Sequence, residues 1–465
     1  MKGKNTIMTL RNRFGTLDLP LLSTMFGFAL PIMAMNILQL LFNAADMIVV
    51  GQFEGSRALA AVGGTGALIN LIVNLFMGLS VGTAVVVARD YGARRVEGIR
   101  QSVHTSIAVS MVTGVIVAIL GIVLSTPLLQ MMGTPEDIIH LSTLYMKIYF
   151  VGIPASMVYN FGAAILRAVG DSKRPMYFLT VSGVVNVILN IVFVAVLHMG
   201  LAGVAWSTVI SQYLTMALIM ASLSKSESAL RFSWKRLKIH KEKIKEIVVI
   251  GIPAGLQSLL FSISNVLIQS AVNSFGSVMV AASATAGNVE GLVSTTMNSY
   301  YNAAITYTGQ SMGAEDYDKI DEIAKISTVF VFATWIVLGG LTILFGRPLL
   351  SLYTGDPEVI ELGMVRLRIM MTVYFSAGIM SVFPGLTRAM GYSVLPMLST
   401  LVGAWFFRIL WLVTVFKWYP TIMVLFAAYP VTWTLAGIGQ VLSFFYARGQ
   451  IRKKAAAGKK SVLGA

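Results

Sequence analysis

The chain contains no cysteine in 465 residues, which excludes disulfides, thiolate metal sites and a cysteine nucleophile. It is short of charge as well. Only 12% of its residues are charged, where a soluble domain carries about a quarter. With 56% hydrophobic residues and a mean hydropathy of +0.78, so few charges cannot coat a 50.3 kDa globule with a wetted surface. Strand-like alternation at the spacing a β-barrel requires is missing. What remains is an all-α polytopic membrane protein.

Other absences narrow the chemistry. No P-loop is present, so ATP is not the energy source and an ion gradient is the remaining candidate. His104, His140, His198 and His240 are scattered without metal-ligand spacing. Gly78-Leu79-Ser80-Val81-Gly82 matches the GxSxG nucleophile pattern, but that chemistry needs a strand–turn–helix elbow. Here it lies in an apolar helix, where small residues permit close packing. An enzyme is therefore not expected, and neither a cofactor nor a resident metal is implied.

A spanning helix needs about 20 mostly apolar residues. Twelve such runs are expected near 24–50, 58–88, 103–125, 138–166, 176–197, 200–223, 247–275, 280–308, 326–346, 360–387, 395–416 and 421–447. Of the 35 Lys and Arg, 28 fall in the two tails and the even-numbered loops, including eight between Lys225 and Lys245. The positive-inside rule then puts both termini in the cytoplasm of a cell-membrane protein. That distribution also accounts for the net charge of +15 without invoking nucleic acid. The basic segment 225–246 reads as a solvated, lipid-surface linker between an N-terminal lobe (1–224) and a C-terminal lobe (247–447), with a basic tail at 448–465.

The two lobes repeat one another. Arg167-Ala168-Val169-Gly170-Asp171-Ser172-Lys173-Arg174-Pro175-Met176 returns 221 residues later as Arg388-Ala389-Met390-Gly391-Tyr392-Ser393-Val394-Leu395-Pro396-Met397, with six of ten positions identical. The same offset carries Gly92-Ala93 onto Gly313-Ala314 and Pro127-Leu128-Leu129 onto Pro348-Leu349-Leu350. At 222, Pro135-Glu136 maps to Pro357-Glu358 and Pro31 to Pro253. An even number of spans per repeat keeps the lobes parallel, related by a pseudo-two-fold axis along the membrane normal. Such halves meet around a central cavity whose access alternates by rocking, an architecture for transport.

Polar residues inside the spans point to the site. Asn36, Gln39, Asn43 and Asp46 form one continuous stripe on the first span. Facing lipid, each would be costly, so the stripe faces protein or water. Asp46 is its important member, because an acid within a span marks function by default. No basic residue of the same half lies at its depth, so it is placed to exchange a proton or bind a cation such as Na⁺. Asn70 with Asn74, and Asn186 with Asn190, form i, i+4 pairs that serve equally as interhelical glue. In the second half, Ser262, Asn265, Gln269 and Asn273 share a face, and Glu290, Ser294 and Asn298 align at four-residue spacing. Glu290 is the second deep acid. Arg408 reads as the one deep cation, a structural partner that can pair with Glu290. Pro31 lies fifteen residues before Asp46, where a helix bend would couple the acid to cavity shape.

These features resemble those of the multidrug and toxic compound extrusion (MATE) family. The resemblance is carried by Pro31, Gln39 and Asp46, by Leu166 to Asp171 with Lys173-Arg174-Pro175, and by Gly92-Ala93, Gly309-Gln310 and Gly313-Ala314. It implies a V-shaped pair of lobes and export of organic cations in exchange for H⁺ or Na⁺ by a monomer, with Asp46 central and Gln39 beside it. Many members carry Asn-x-x-Leu-Asp on the fifth span. Here Asn186-Val187-Ile188-Leu189-Asn190 has an amide in place of the acid, which leaves Asp46 as the lobe's lone deep charge. A lipid-linked glycan or lipid flippase of the same superfamily is the alternative. It should need several deep cations to hold phosphates, of which the sequence offers Arg408.

Overall fold

The structure is a computed structural model that describes residues 17–226 and 228–457. The basic N-terminal tail and the end of the 448–465 tail lie outside the described residues. Every regular element among them is helical. The first lobe comprises α1 (Leu19–Phe53), α2 (Gly55–Gly92), α3 (Val96–Met131), α4 (Glu136–Ala168), α5 (Lys173–Asn190, extended by a π-helical turn to Val196) and α6 (Gly200–Ser224). The second comprises α7 (Lys241–Asn273), α8 (Ser277–Gly313), α9 (Tyr317–Thr334, continuing through a π turn to Leu344), α10 (Pro357–Thr372 and Tyr374–Ala389), α11 (Val394–Thr400, with π and further helical turns to Trp418) and α12 (Ile422–Ala456).

Among the described residues, ten helices are long and apolar enough to cross a membrane unaided, and the bent pair in α10 makes an eleventh. The twelfth, α8, has 37 residues but carries Ser283, Glu290, Thr296 and Ser299 along its buried side. It crosses as part of the bundle interior, where polar side chains find protein partners. The protein is thus a twelve-helix transmembrane bundle of two six-helix lobes.

Backbone turns carry the repeat as clearly as side chains do. Left-handed φ angles occur at Gly55 (79°) and Gly276 (92°), at Arg94 (54°) and Glu315 (58°), and at Gly170 (94°) and Gly391 (98°). Each pair is 221 residues apart. Glycine takes such angles without steric cost, which explains Gly170 and Gly391 in the repeated loops. Other details have diverged. The π turns in α5, α9 and α11 do not superpose on one another at that offset. α10 bends by 55° between Thr372 and Tyr374, at a point without proline. There the Met371 carbonyl is met by the Trp335 indole N–H at 2.7 Å, a side-chain replacement for the interrupted helical bond. Pro31, in contrast, sits within a continuous α1.

The lobes meet at the end that carries the basic loops. α2 packs along α7 and α8, and α1 along α8. Glycines allow this approach: a Cβ on Gly92 would lie 1.9 Å from the Gln310 carbonyl oxygen, and one on Gly313 equally close to that of Arg89. Gly78 and Gly82, the ends of the GxSxG match, abut the backbone of Gly251 and Ile247 on α7. That motif is a helix–helix contact. Two hydrogen-bonded ties hold the same end. Arg89 Nε and Nη2 donate to the Ala389 carbonyl at 3.0 and 2.9 Å, and Gln310 Nε2 donates to that of Ala168 at 2.8 Å. Arg89 and Gln310 are repeat equivalents, and so are Ala168 and Ala389. Lys243 adds a buried ion pair to Asp90 at 2.6 Å, which also accepts from Ser102.

The segment expected as a solvated linker is partly packed. Leu230 and Phe232 are buried, Phe232 stacks on His104, and the Ser233 and His240 backbone N–H groups donate to His104 Nε2 and Thr105 Oγ1. The helical pattern already begins at Lys241.

Candidate functional site

α1 brings Gln39, Asn43 and Asp46 of its stripe to the inside of the first lobe, while Asn36 donates to Thr295 and Ser299 of the second. A cavity of about 320 Å³ is lined by Gln39, Asn43, Asp46, Tyr145, Tyr149 and Asn186, with Gln212 and the hydroxyls of α6 behind them. Asp46 is its one charged lining residue among the described residues. Its carboxylate accepts a hydrogen bond from Asn190 Nδ2, whose amide oxygen accepts in turn from Ser207 Oγ. Asn190 is fully buried and stands behind the acid rather than in the cavity wall. Its amide fixes one carboxylate oxygen, and the acid itself lines the cavity.

Gln39 Nε2 donates to Asn43 Oδ1 at 3.3 Å, one turn apart. Close packing sets this wall: a Cβ on Gly183 would collide with the Phe42 ring. Tyr145 and Tyr149 stack with ring centroids 6.1 Å apart and give the cavity an aromatic side. The whole offers hard oxygen ligands and one negative charge, suited to a proton or an alkali cation, with aromatic faces that attract organic cations. No cluster of three His, Asp or Glu suited to a metal ion exists among the described residues.

Glu290 is not part of this cavity. It lies in the second lobe, where Arg366 Nε and Nη2 donate to its two carboxylate oxygens at 2.8 and 3.0 Å, and Arg366 also reaches Ser283. Its partner is therefore Arg366, and the pairing with Arg408 does not form. Arg408 donates to Asn265 Oδ1 at 2.9 Å and Thr432 Oγ1 at 3.2 Å, with Tyr429 stacked 4.7 Å from its guanidinium. It is fully buried, as its structural reading implies, but it is not the one deep cation. At the position equivalent to Asp46 the second lobe has Leu267 or Ile268, both apolar. The lobes share a frame and differ in chemistry.

A second cavity, of about 610 Å³, lies between the lobes. Asn36, Asn74, Ser262, Ser294 and Asn298 line it, so the polar faces of α1, α2, α7 and α8 converge there. Arg167 and Arg388 line it too, and no carboxylate does among the described residues. Asn160 borders both cavities.

Sequence reasoning missed Tyr145 and Tyr149, spaced i, i+4 on α4, and the Ser207, Ser211, Thr215 stripe on α6. Both were visible as periodic polar positions inside apolar runs. Arg366 was hidden differently, since its partner lies 76 residues away and nothing local predicts the contact.

Comparisons with known proteins agree with this architecture. Residues 31–192 and 253–414 each match the MatE family model, and the two matches are offset by 222 residues. The chain is 29% identical to the probable multidrug resistance protein YoeA of Bacillus subtilis, covering 81% of this chain and 83% of that protein. It is 25% identical to the probable multidrug resistance protein NorM of Thermotoga maritima, covering 82% of each. Among solved structures, the Vibrio cholerae MATE transporter VcmN in its bent form superposes with a TM-score of 0.85 at 23% identity, covering 93% of this chain and 98% of that one.

Proposed function

The chain belongs to the MATE family of membrane transporters, and from that premise we propose that it exports organic cations from the cytoplasm in exchange for inward H⁺ or Na⁺. The observation that carries the reading is Asp46: a carboxylate in a first-lobe cavity, hydrogen-bonded by the neutral Asn190 and with no cation in the cavity wall among the described residues. A carboxylate so held has one oxygen free to take a proton, a sodium ion or the charged nitrogen of a drug. These occupants compete, and competition is what exchange requires. Gln39, Asn43 and Asn186 supply polar contacts in the same wall, and Asn190 positions the acid. Relatives named as multidrug resistance proteins support the drug-like substrate class.

The basic loops support a cell-membrane protein with both termini in the cytoplasm. On that orientation the contacts of Arg89, Gln310 and Lys243 seal the cytoplasmic side, and this form of the molecule would release substrate outward. The test is dye efflux from vesicles under an imposed pH or sodium gradient. Asp46→Asn should abolish efflux while the protein still reaches the membrane. Drug resistance equal to the parent in cells carrying that variant would remove Asp46 from the coupling step.

A further inference from the structure

The inter-lobe cavity has the opposite polarity from the Asp46 cavity. Its charged lining residues among those described are Arg167 and Arg388, which occupy equivalent positions in the two repeats, each in the last turn of its helix, α4 or α10. Arg388 is 4% exposed. It donates to the neutral Tyr301 hydroxyl at 2.6 Å and to Gln257 Oε1, and its Nε has no partner. The Arg167 side chain makes no ion pair or hydrogen bond among the described residues, while its carbonyl accepts from Thr306. A helix C-terminus favours a nearby cation by about 0.3–1 kcal/mol. Withdrawing a charge from water costs several kcal/mol, so the helix ends offset only part of that cost.

We propose that this cavity binds the anionic group of an amphiphile, a carboxylate or sulfonate, at Arg167 and Arg388. Guanidinium groups match such anions with paired, charge-assisted hydrogen bonds. Met35, Met77, Phe261 and Met380 line the cavity and give an adaptable apolar wall for the remainder of the ligand. Only the steps after binding rest on the transport reading, so the test measures binding itself.

Two dyes on one xanthene scaffold serve as probes: fluorescein, an anion, and rhodamine 123, a cation. Their affinities for purified full-length protein in maltoside micelles are measured by equilibrium dialysis. Saturable fluorescein binding is expected, displaced by taurocholate. In Arg167→Gln and in Arg388→Gln the ratio of fluorescein to rhodamine affinity should fall at least about tenfold, the scale of one charge-assisted hydrogen bond. Arg167→Lys and Arg388→Lys should recover part of it, and they carry the test should a glutamine variant fail to fold. Parent protein that binds rhodamine 123 but not fluorescein would overturn the proposal, as would an unchanged affinity ratio in the variants. Asp46→Asn separates the two readings: fluorescein binding that persists while dye efflux is lost keeps both, whereas efflux unaffected by Asp46→Asn fails the coupling reading alone.

Discussion

At the scale of single residues, the chain Ser207–Asn190–Asp46 matters because every member is neutral except the last. Asn190→Leu removes the donor to Asp46 and leaves the Ser207 hydroxyl with only the Val204 carbonyl as acceptor. Efflux should fall at least about tenfold, the equivalent of one charge-assisted hydrogen bond, with membrane expression retained; efflux at the parent rate would mean that Asp46 needs no fixed orientation. Glu290 belongs to a different kind of site. Its bidentate pair with Arg366 is buried and closed, so Glu290→Gln leaves a guanidinium without its counter-charge. Breaking such a pair costs about 3–5 kcal/mol. A clear drop in melting temperature is expected for Glu290→Gln, with much of it regained in Glu290→Gln combined with Arg366→Met. An unchanged melting temperature would show that the pair contributes nothing to the fold.

At the scale of helices, the sequence predicted where the chain crosses and which faces are polar, because apolar length and 3.6-residue periodicity are local properties. The stripe on α1 and the Asn186–Asn190 pair on α5 follow from that, whereas their meeting in one cavity is a tertiary contact. The sequence did not predict the bend in α10, where a tryptophan 36 residues earlier satisfies the Met371 carbonyl, nor the Arg366–Glu290 pair. Both are contacts between segments that periodicity treats as independent. Glycine positions carried more information than they first offered. Gly92 and Gly313 mark the repeat in the sequence, and in the structure they are the places where two helices touch backbone to backbone. Gly92→Val should force α2 and α8 apart at the basic-loop end. Because the chain has no native cysteine, a single cysteine replacing Ala84 in the inter-lobe cavity reports the change. It should react with an impermeant maleimide from the basic-loop side in the Gly92→Val background and be protected without it. Equal protection in both would mean that the seal tolerates the added bulk.

At the scale of the whole molecule, the two lobes are alike in backbone and unlike in what they enclose. The first holds a single carboxylate beside an open cavity. The second locks its acid to an arginine and fills the equivalent of the Asp46 position with an apolar side chain. Between them lies a third environment, lined by two arginines that the repeat supplies in matched positions. Duplication therefore accounts for the frame, and later divergence accounts for the division of labour among its interiors.

The paired ties at the sealed end have a further consequence. Arg89 grips the end of α10, and Gln310, its counterpart, grips the end of α4. Rocking that parts the lobes at this end would stretch both ties at the same moment, because the repeat sets them at equivalent positions. Release of this end would then require both ties to part together, as a single cooperative step.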